Sequence, residues 1–180
     1  QPNNALSLGV TEPGEVAATA GTSGVIYAVS DQLTFDPLSR VNSFAHVNHR
    51  SDRIRTGVLL CINGTGILNS WARQQLGAGI SYASMNELAA KAAPGSDGIR
   101  VLPFGNGTER MLQNRMTGAD FSGIDLNRHG QAHLFRAIQE GIAFAFRYGI
   151  DIMRSNQLYP TSIRAGLANL FQSEIFLQSF

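Results

Sequence analysis

The chain has 180 residues, 43% of them hydrophobic and 15% charged, with a formal net charge of +1. That length and apolar content suit one domain with a real core, and charge so sparse and scattered leaves no basic footprint for nucleic acid or an anionic membrane surface. No apolar run approaches the ~18 residues of a membrane span, no secretory leader opens the chain, and the single cysteine excludes an internal disulfide, so a reducing, cytoplasmic setting is expected.

The first legible elements are two β-rich runs, Val16–Ala20 and Val25–Val29, joined by the turn Gly21-Thr22-Ser23-Gly24. Glycine at both ends of the turn permits positive φ and close approach to an anion, and Thr22 and Ser23 add hydroxyl donors. A Walker loop would need a lysine opening a helix, and none is present, so a plain hairpin and a phosphate clamp both remain open at this point. Ser43–Val47 and Thr56–Ile62 read as two more strands. The loop Asn63-Gly64-Thr65-Gly66 then opens a helix over about Ile67–Leu76, which Gly77 and Gly79 stop.

A second helix is expected over about Ser84–Ala93, ended by Pro94-Gly95. Arg100–Phe104 is a short strand leading into the loop Gly105–Gly118. The longest helix runs from about Gln131 to Ser155, with Ala137, Ile138, Gly141, Ile142, Ala145, Tyr148, Gly149 and Ile152 on a core face. Thr161–Ala165 is a last strand, and Gly166 is expected to open a final helix carrying Leu167, Leu170, Phe171, Ile175 and Phe176. The absence of an initial Met and the apolar stop at Phe180 suggest a piece cut at both ends. Hairpins followed by alternating helices and a late strand imply an α/β mixed sheet flanked by helices.

Several polar residues have plainer readings than catalysis. Cys61 lies inside the apolar run Val58–Ile62 and reads as a buried structural thiol. His129 and His133 share a presumed helical face without the glutamate of a metalloprotease, which favours capping or surface roles, so no metal ligands are expected. His46 and His49 straddle a strand end and read as solvated. Asp120 and Asp125 suit turn formation and capping, while Glu109-Arg110 is either a cleft feature or a surface ion pair.

Five motifs in collinear order carry a resemblance across essentially the whole chain: Gly21-Thr22-Ser23, Asn63-Gly64-Thr65-Gly66, Val101-Leu102-Pro103-Phe104, Arg136 to Phe144, and Ala165-Gly166-Leu167-Ala168-Asn169. Together they resemble the FGGY carbohydrate kinases, and most of all the C-terminal nucleotide-binding domain of those acting on xylulose. The resemblance implies an actin-like, ribonuclease-H-like fold. It also implies an ATP- and Mg²⁺-dependent phosphotransferase in which a separate N-terminal domain, absent from residues 1–180, holds the sugar.

Carried over residue by residue, Gly21, Thr22 and Ser23 correspond to a phosphate loop. Gly66 matches the glycine before a helix whose tryptophan is Trp71, with Ser70 in the adjacent nucleotide-facing position. Gly166 and Asn169 match the adenosine loop, although Arg164-Ala165-Gly166 stands where these kinases commonly carry consecutive glycines. The family's general base, an aspartate, falls immediately before Gln1, so the resemblance implies no catalytic residue within this chain and no turnover by it alone. The expected substrate is a ketopentose, with D-xylulose first; ribulose, glycerol or gluconate kinases are alternatives, as is a non-catalytic nucleotide-binding or assembly module on the same fold. The isolated chain is expected to self-associate as a homo-oligomer or to be only marginally stable.

Overall fold

The computed structural model describes residues 2–180; Gln1, the neighbour of the implied base, lies outside the described residues. A short helix α1 (Pro2–Ser7) precedes the hairpin of β1 (Glu15–Ala20) and β2 (Gly24–Ser30). The sheet continues with β3 (Asn42–Ala45) and β4 (Thr56–Ile62). Helices α2 (Gly66–Gln75) and α3 (Tyr82–Ala89) follow, then a small ribbon of β5 (Arg100–Leu102) and β6 (Asp120–Ser122). The chain closes with the long α4 (Gln131–Ser155), β7 (Ser162–Ala165) and α5 (Glu174–Ser179).

The main sheet has the order β3-β4-β2-β1-β7, antiparallel throughout except that β7 runs parallel to β1. A parallel partner needs a long crossover, and α2 through α4 supply it. Alternation along each strand sends its side chains to two faces. Ile26, Ala28, Val58, Leu60 and Ile62 join the main core, where α4 contributes Phe135, Ile138, Ile142, Phe146 and Ile152. Tyr27, Val29 and Ala17 point the other way, against Ala5 of α1 and Val10. Among the described residues no helix is long and apolar enough to cross a membrane.

Packing accounts for most differences from the sequence reading. Gly141 and Gly149 do allow close approach, since a Cβ on Gly149 would lie 2.7 Å from Ile26 Cδ1, yet Tyr148 on the expected core face is exposed. Helix α3 starts earlier than expected, at Tyr82, because Ser81 caps it by accepting the Ser84 N–H at 3.0 Å. Asp120 sits in a strand that too few residues announce; its neighbour Asp125 accepts the Asn127 N–H at 2.9 Å, a local turn bond. No final helix opens at Gly166. Residues 166–168 are loop, Asn169–Gln172 form a 3₁₀ turn, and α5 begins only where Ser173 caps it, leaving Leu167 exposed.

The histidines are also placed differently. His46 is 3% exposed rather than solvated, pairing through Nδ1 with Asn48 Oδ1, because the 46–55 connection folds back over Tyr27. His129 precedes α4 instead of sharing its face with His133, and its Nδ1 accepts the Asp125 N–H at 2.9 Å. Cys61 is half-buried, and that burial raises its thiol pKa, as befits an inert sulfur. Glu109 and Arg110 make no ion pair with each other. Arg110 instead donates to Asn42 Oδ1 of β3, while Glu109 takes a positive φ of 51° at the start of a 3₁₀ turn.

Candidate functional site

The β1–β2 turn is built by its contact with α2. Thr65 donates its hydroxyl to the carbonyl oxygens of Gly21 and Thr22, both at 3.1 Å. The first helical amides complete the dock: Gly66 N–H donates to Gly21 O at 2.9 Å and Ile67 N–H to Thr22 O at 3.1 Å. Those donors are ones that a helix N-terminus otherwise leaves unpaired. The same contact requires glycine at 66, because a Cβ there would overlap the Gly21 carbonyl.

Because a trans peptide holds its C=O and N–H on opposite sides, turning two carbonyls into α2 turns the following amides outward. These are the N–H groups of Thr22 and Ser23, and neither donates to a backbone acceptor among the described residues. Successive outward amides with adjacent hydroxyls form an anion-binding concavity.

This turn forms one wall of a cavity of about 760 Å³ that also takes in the start of α2, the start of α3 and the segment 168–173. Of the seven residues singled out in the sequence, Gly21, Thr22, Gly66, Ser70 and Asn169 line it. Asn169 holds a φ of 54°, which asparagine tolerates, and its Nδ2 approaches within 4.0 Å of where a Gly21 Cβ would be. The structure does not bring the other two into the wall. Ser23 turns its hydroxyl to Asn63 Oδ1 at 3.3 Å, and Gly166 sits exposed with nothing within 4 Å of a Cβ built on it. Trp71 is likewise outside, exposed on α2 and tilted against Phe121 at 6.3 Å between ring centroids.

Sequence reasoning missed Asn69, Tyr82, Asn86 and Ser173, which all line the cavity. Asn69 and Asn86 lie on helices whose polar positions read as surface; only the approach of α2, α3 and segment 168–173 turns them inward. Among the described residues no lysine, arginine or carboxylate is in the wall. An anion here would therefore be met by amides and hydroxyls, and a divalent cation would have to ride on the anion and water rather than on this chain's own carboxylates. Among the described residues no group of three or more His, Cys, Asp or Glu could hold a metal.

A mixed sheet flanked by helices, with a hairpin turn docked on a helix beside a cavity of ligand size, defines a domain of the actin-like ATPase fold. A family model described as the FGGY family of carbohydrate kinases, C-terminal domain, matches residues 16–166, and the chain belongs to that family. It is 29% identical over 160 residues to a xylulose kinase of Haemophilus influenzae, covering 89% of this chain and 31% of that one. A gluconokinase of Bacillus subtilis is 28% identical over 149 residues, covering 77% and 28%. The crystal structure of xylulose kinase from Rhodospirillum rubrum superposes with a TM-score of 0.86 at 25% identity, over 98% of this chain and 34% of that one. The chain thus spans about a third of the length of the relatives it matches.

Proposed function

We propose that this chain is the nucleotide-binding part of an ATP-dependent sugar kinase whose acceptor is a ketopentose, D-xylulose first. The observation that carries the reading is the β1–β2 turn, whose Thr22 amide has no backbone acceptor among the described residues and stands at the wall of a cavity that continues past Asn169 to α3. In this reading the turn holds the terminal phosphates of ATP, and Ser70 and Asn169 contact the nucleoside. When bound, ATP supplies the phosphoryl group, and Mg²⁺ on its phosphates neutralises charge that the basic-free wall leaves uncompensated.

The chain's own contribution is positional and electrostatic. Thr22 N–H, Thr22 Oγ1 and Ser23 N–H are aimed where negative charge accumulates on the transferring group, preorganised by the Gly66 and Thr65 contacts. Proton removal from the sugar hydroxyl is assigned to an aspartate that precedes Gln1. The xylulose reading rests on the xylulose kinases among the relatives, and the Bacillus gluconokinase makes gluconate the second choice.

Titration of the chain with ADP and Mg²⁺ by calorimetry tests the nucleotide half, and weak saturable binding without turnover is expected. The parent gene product is then assayed for ATP consumption with D-xylulose, ribulose, gluconate and glycerol. Preference for a polyol or an acid would overturn the ketopentose assignment; ADP binding by a parent inactive on every acceptor would favour a non-catalytic module.

A further inference from the structure

Arg164, on β7, stands where the resembling kinases commonly carry glycine, and its side chain has a built destination. It lies beside Ala17 in the parallel β1–β7 pair, on the sheet face that α1 covers. Its guanidinium crosses to the segment that leaves α1. Nη1 donates to the carbonyl oxygens of Gly9 at 2.6 Å and Leu8 at 3.2 Å, and Nη2 donates to Glu15 Oε1 at 2.6 Å. Those carbonyls lie just past the C-terminal end of α1, where a helix leaves acceptors unpaired and favours a cation.

The socket is shaped from the other side as well. Gly9 holds a φ of 67°, and a Cβ on it would come within 2.9 Å of Arg164 Nη1, so glycine makes the room that the guanidinium fills. Glu15 accepts the Thr11 and Glu12 N–H groups through Oε2, at 2.9 and 3.0 Å, which folds the segment 11–15 around the same carboxylate. The Glu12 and Thr11 amides hold its carboxyl below the ordinary carboxylate range, so it faces Arg164 as an anion. From the β3–β4 connection, Asn48 Nδ2 donates to Thr11 O at 2.9 Å, and Arg53 and Arg55 pair with Glu12 at 2.7 and 2.9 Å. By contrast α1 buries only Ala5, so packing alone gives it a small grip on the sheet.

We propose that Arg164 is a positioning residue, tying the peptide that leaves α1 to the strand that leads into the nucleotide cavity. The inference rests on the kinase reading above, in which the base precedes Gln1 and so stands directly ahead of α1. Past Ala165 the chain runs from β7 to Asn169 in the cavity wall, so one guanidinium joins the arm behind the base to the strand behind the nucleotide. Phosphoryl transfer depends on how base and phosphate are placed relative to one another, and a misplacement of about 1 Å can cost on the order of 100-fold in rate. Nucleotide binding needs only the cavity. Loss of Arg164 therefore separates rate from affinity.

The test uses the full-length protein as wild type, Arg164→Gly, Arg164→Gln and Arg164→Lys. Measured for each are kcat and KM with ATP and the acceptor that the wild type phosphorylates best, ADP affinity by calorimetry, and amide hydrogen exchange. Arg164→Gly and Arg164→Gln should lower kcat about tenfold or more, hold both KM values and the ADP Kd within about twofold, and speed exchange at the Leu8, Gly9 and Val10 amides about tenfold, with α4 unchanged. Arg164→Gln keeps most of the stem, so it decides the matter if Arg164→Gly fails to fold. Arg164→Lys keeps the charge and has donors for the same carbonyls, so it should recover kcat to within about threefold of the wild type. A wild-type kcat in Arg164→Gln, ADP affinity that falls in step with kcat, unchanged exchange after α1, or a lysine variant as impaired as the glutamine one would each overturn the inference while leaving the kinase reading standing. A wild type that transfers phosphate to no acceptor would overturn the kinase reading and this inference with it.

Discussion

The amide of Gly66 donates to the carbonyl oxygen of Gly21 at 2.9 Å, and a Cβ on Gly66 would overlap that same oxygen. One contact thus fixes both the position of α2 and the outward direction of the Thr22 amide. Gly66→Ala should push the turn off the helix, destabilise the domain by about 1–3 kcal/mol, and abolish pyrophosphate binding. Urea denaturation and titration of the same preparation check it; unchanged anion affinity would show that the turn amides do not depend on this dock.

Thr22 is exposed at the tip of the turn, so its side chain can be altered without disturbing the core. Thr22→Val keeps the β-branched shape and both backbone amides while removing one hydroxyl donor. On the proposed kinase reading, kcat of the full-length protein should fall about 10- to 1000-fold, equivalent to a lost transition-state interaction of about 1.4–4 kcal/mol. Stability should change by less than about 0.5 kcal/mol. An unchanged kcat would reduce the hydroxyl to a turn-forming role.

Tyr27 has a buried hydroxyl with no partner among the described residues, and that burial raises its pKa. Gly57, two residues along β4 from Leu59, the register partner of Tyr27, provides the room, since a Cβ there would overlap the phenol oxygen. Tyr27→Phe removes an unsatisfied polar atom and keeps the ring contacts with Phe44 and His46. It should raise stability by about 1 kcal/mol. A loss of that size in thermal or urea unfolding would show that the hydroxyl has a partner in solution.

Asp36 is 3% exposed and accepts two guanidinium bonds from Arg40, at 3.0 and 2.9 Å. Hydrogen bonding to Arg40 lowers its pKa below the ordinary carboxylate value. A depressed folded-state pKa means that the stabilisation is present in full above the unfolded-state value and is lost as pH falls through the folded one. Asp36→Asn should therefore cost about 2 kcal/mol at pH 7, and the gap to the wild type should begin to narrow below about pH 4 and close only as pH falls through the depressed folded-state value. A pH-independent gap would assign the effect to packing rather than charge.

By itself the sequence determined the order of the sheet strands and of helices α2 to α4, most of the α4 core stripe, and the family. These depend on short-range periodicity, on glycine and hydroxyl spacing, and on collinear motifs, all properties of neighbours along the chain. It could not show which polar groups face inward. Asn69 and Asn86 are ordinary helix-surface residues until α2, α3 and segment 168–173 close around one cavity, and Gln139 reads as one more polar residue until Ser173 and Asn86 reach it. Gly166, by contrast, sits in a family-like motif in sequence but lies outside the wall, because the chain bends into a 3₁₀ turn at Asn169 instead of opening a helix. Hydrogen-bond direction was the last thing decided. The outward aim of the Thr22 and Ser23 amides exists only because Thr65, Gly66 and Ile67, more than forty residues away along the chain, claim the carbonyls of Gly21 and Thr22.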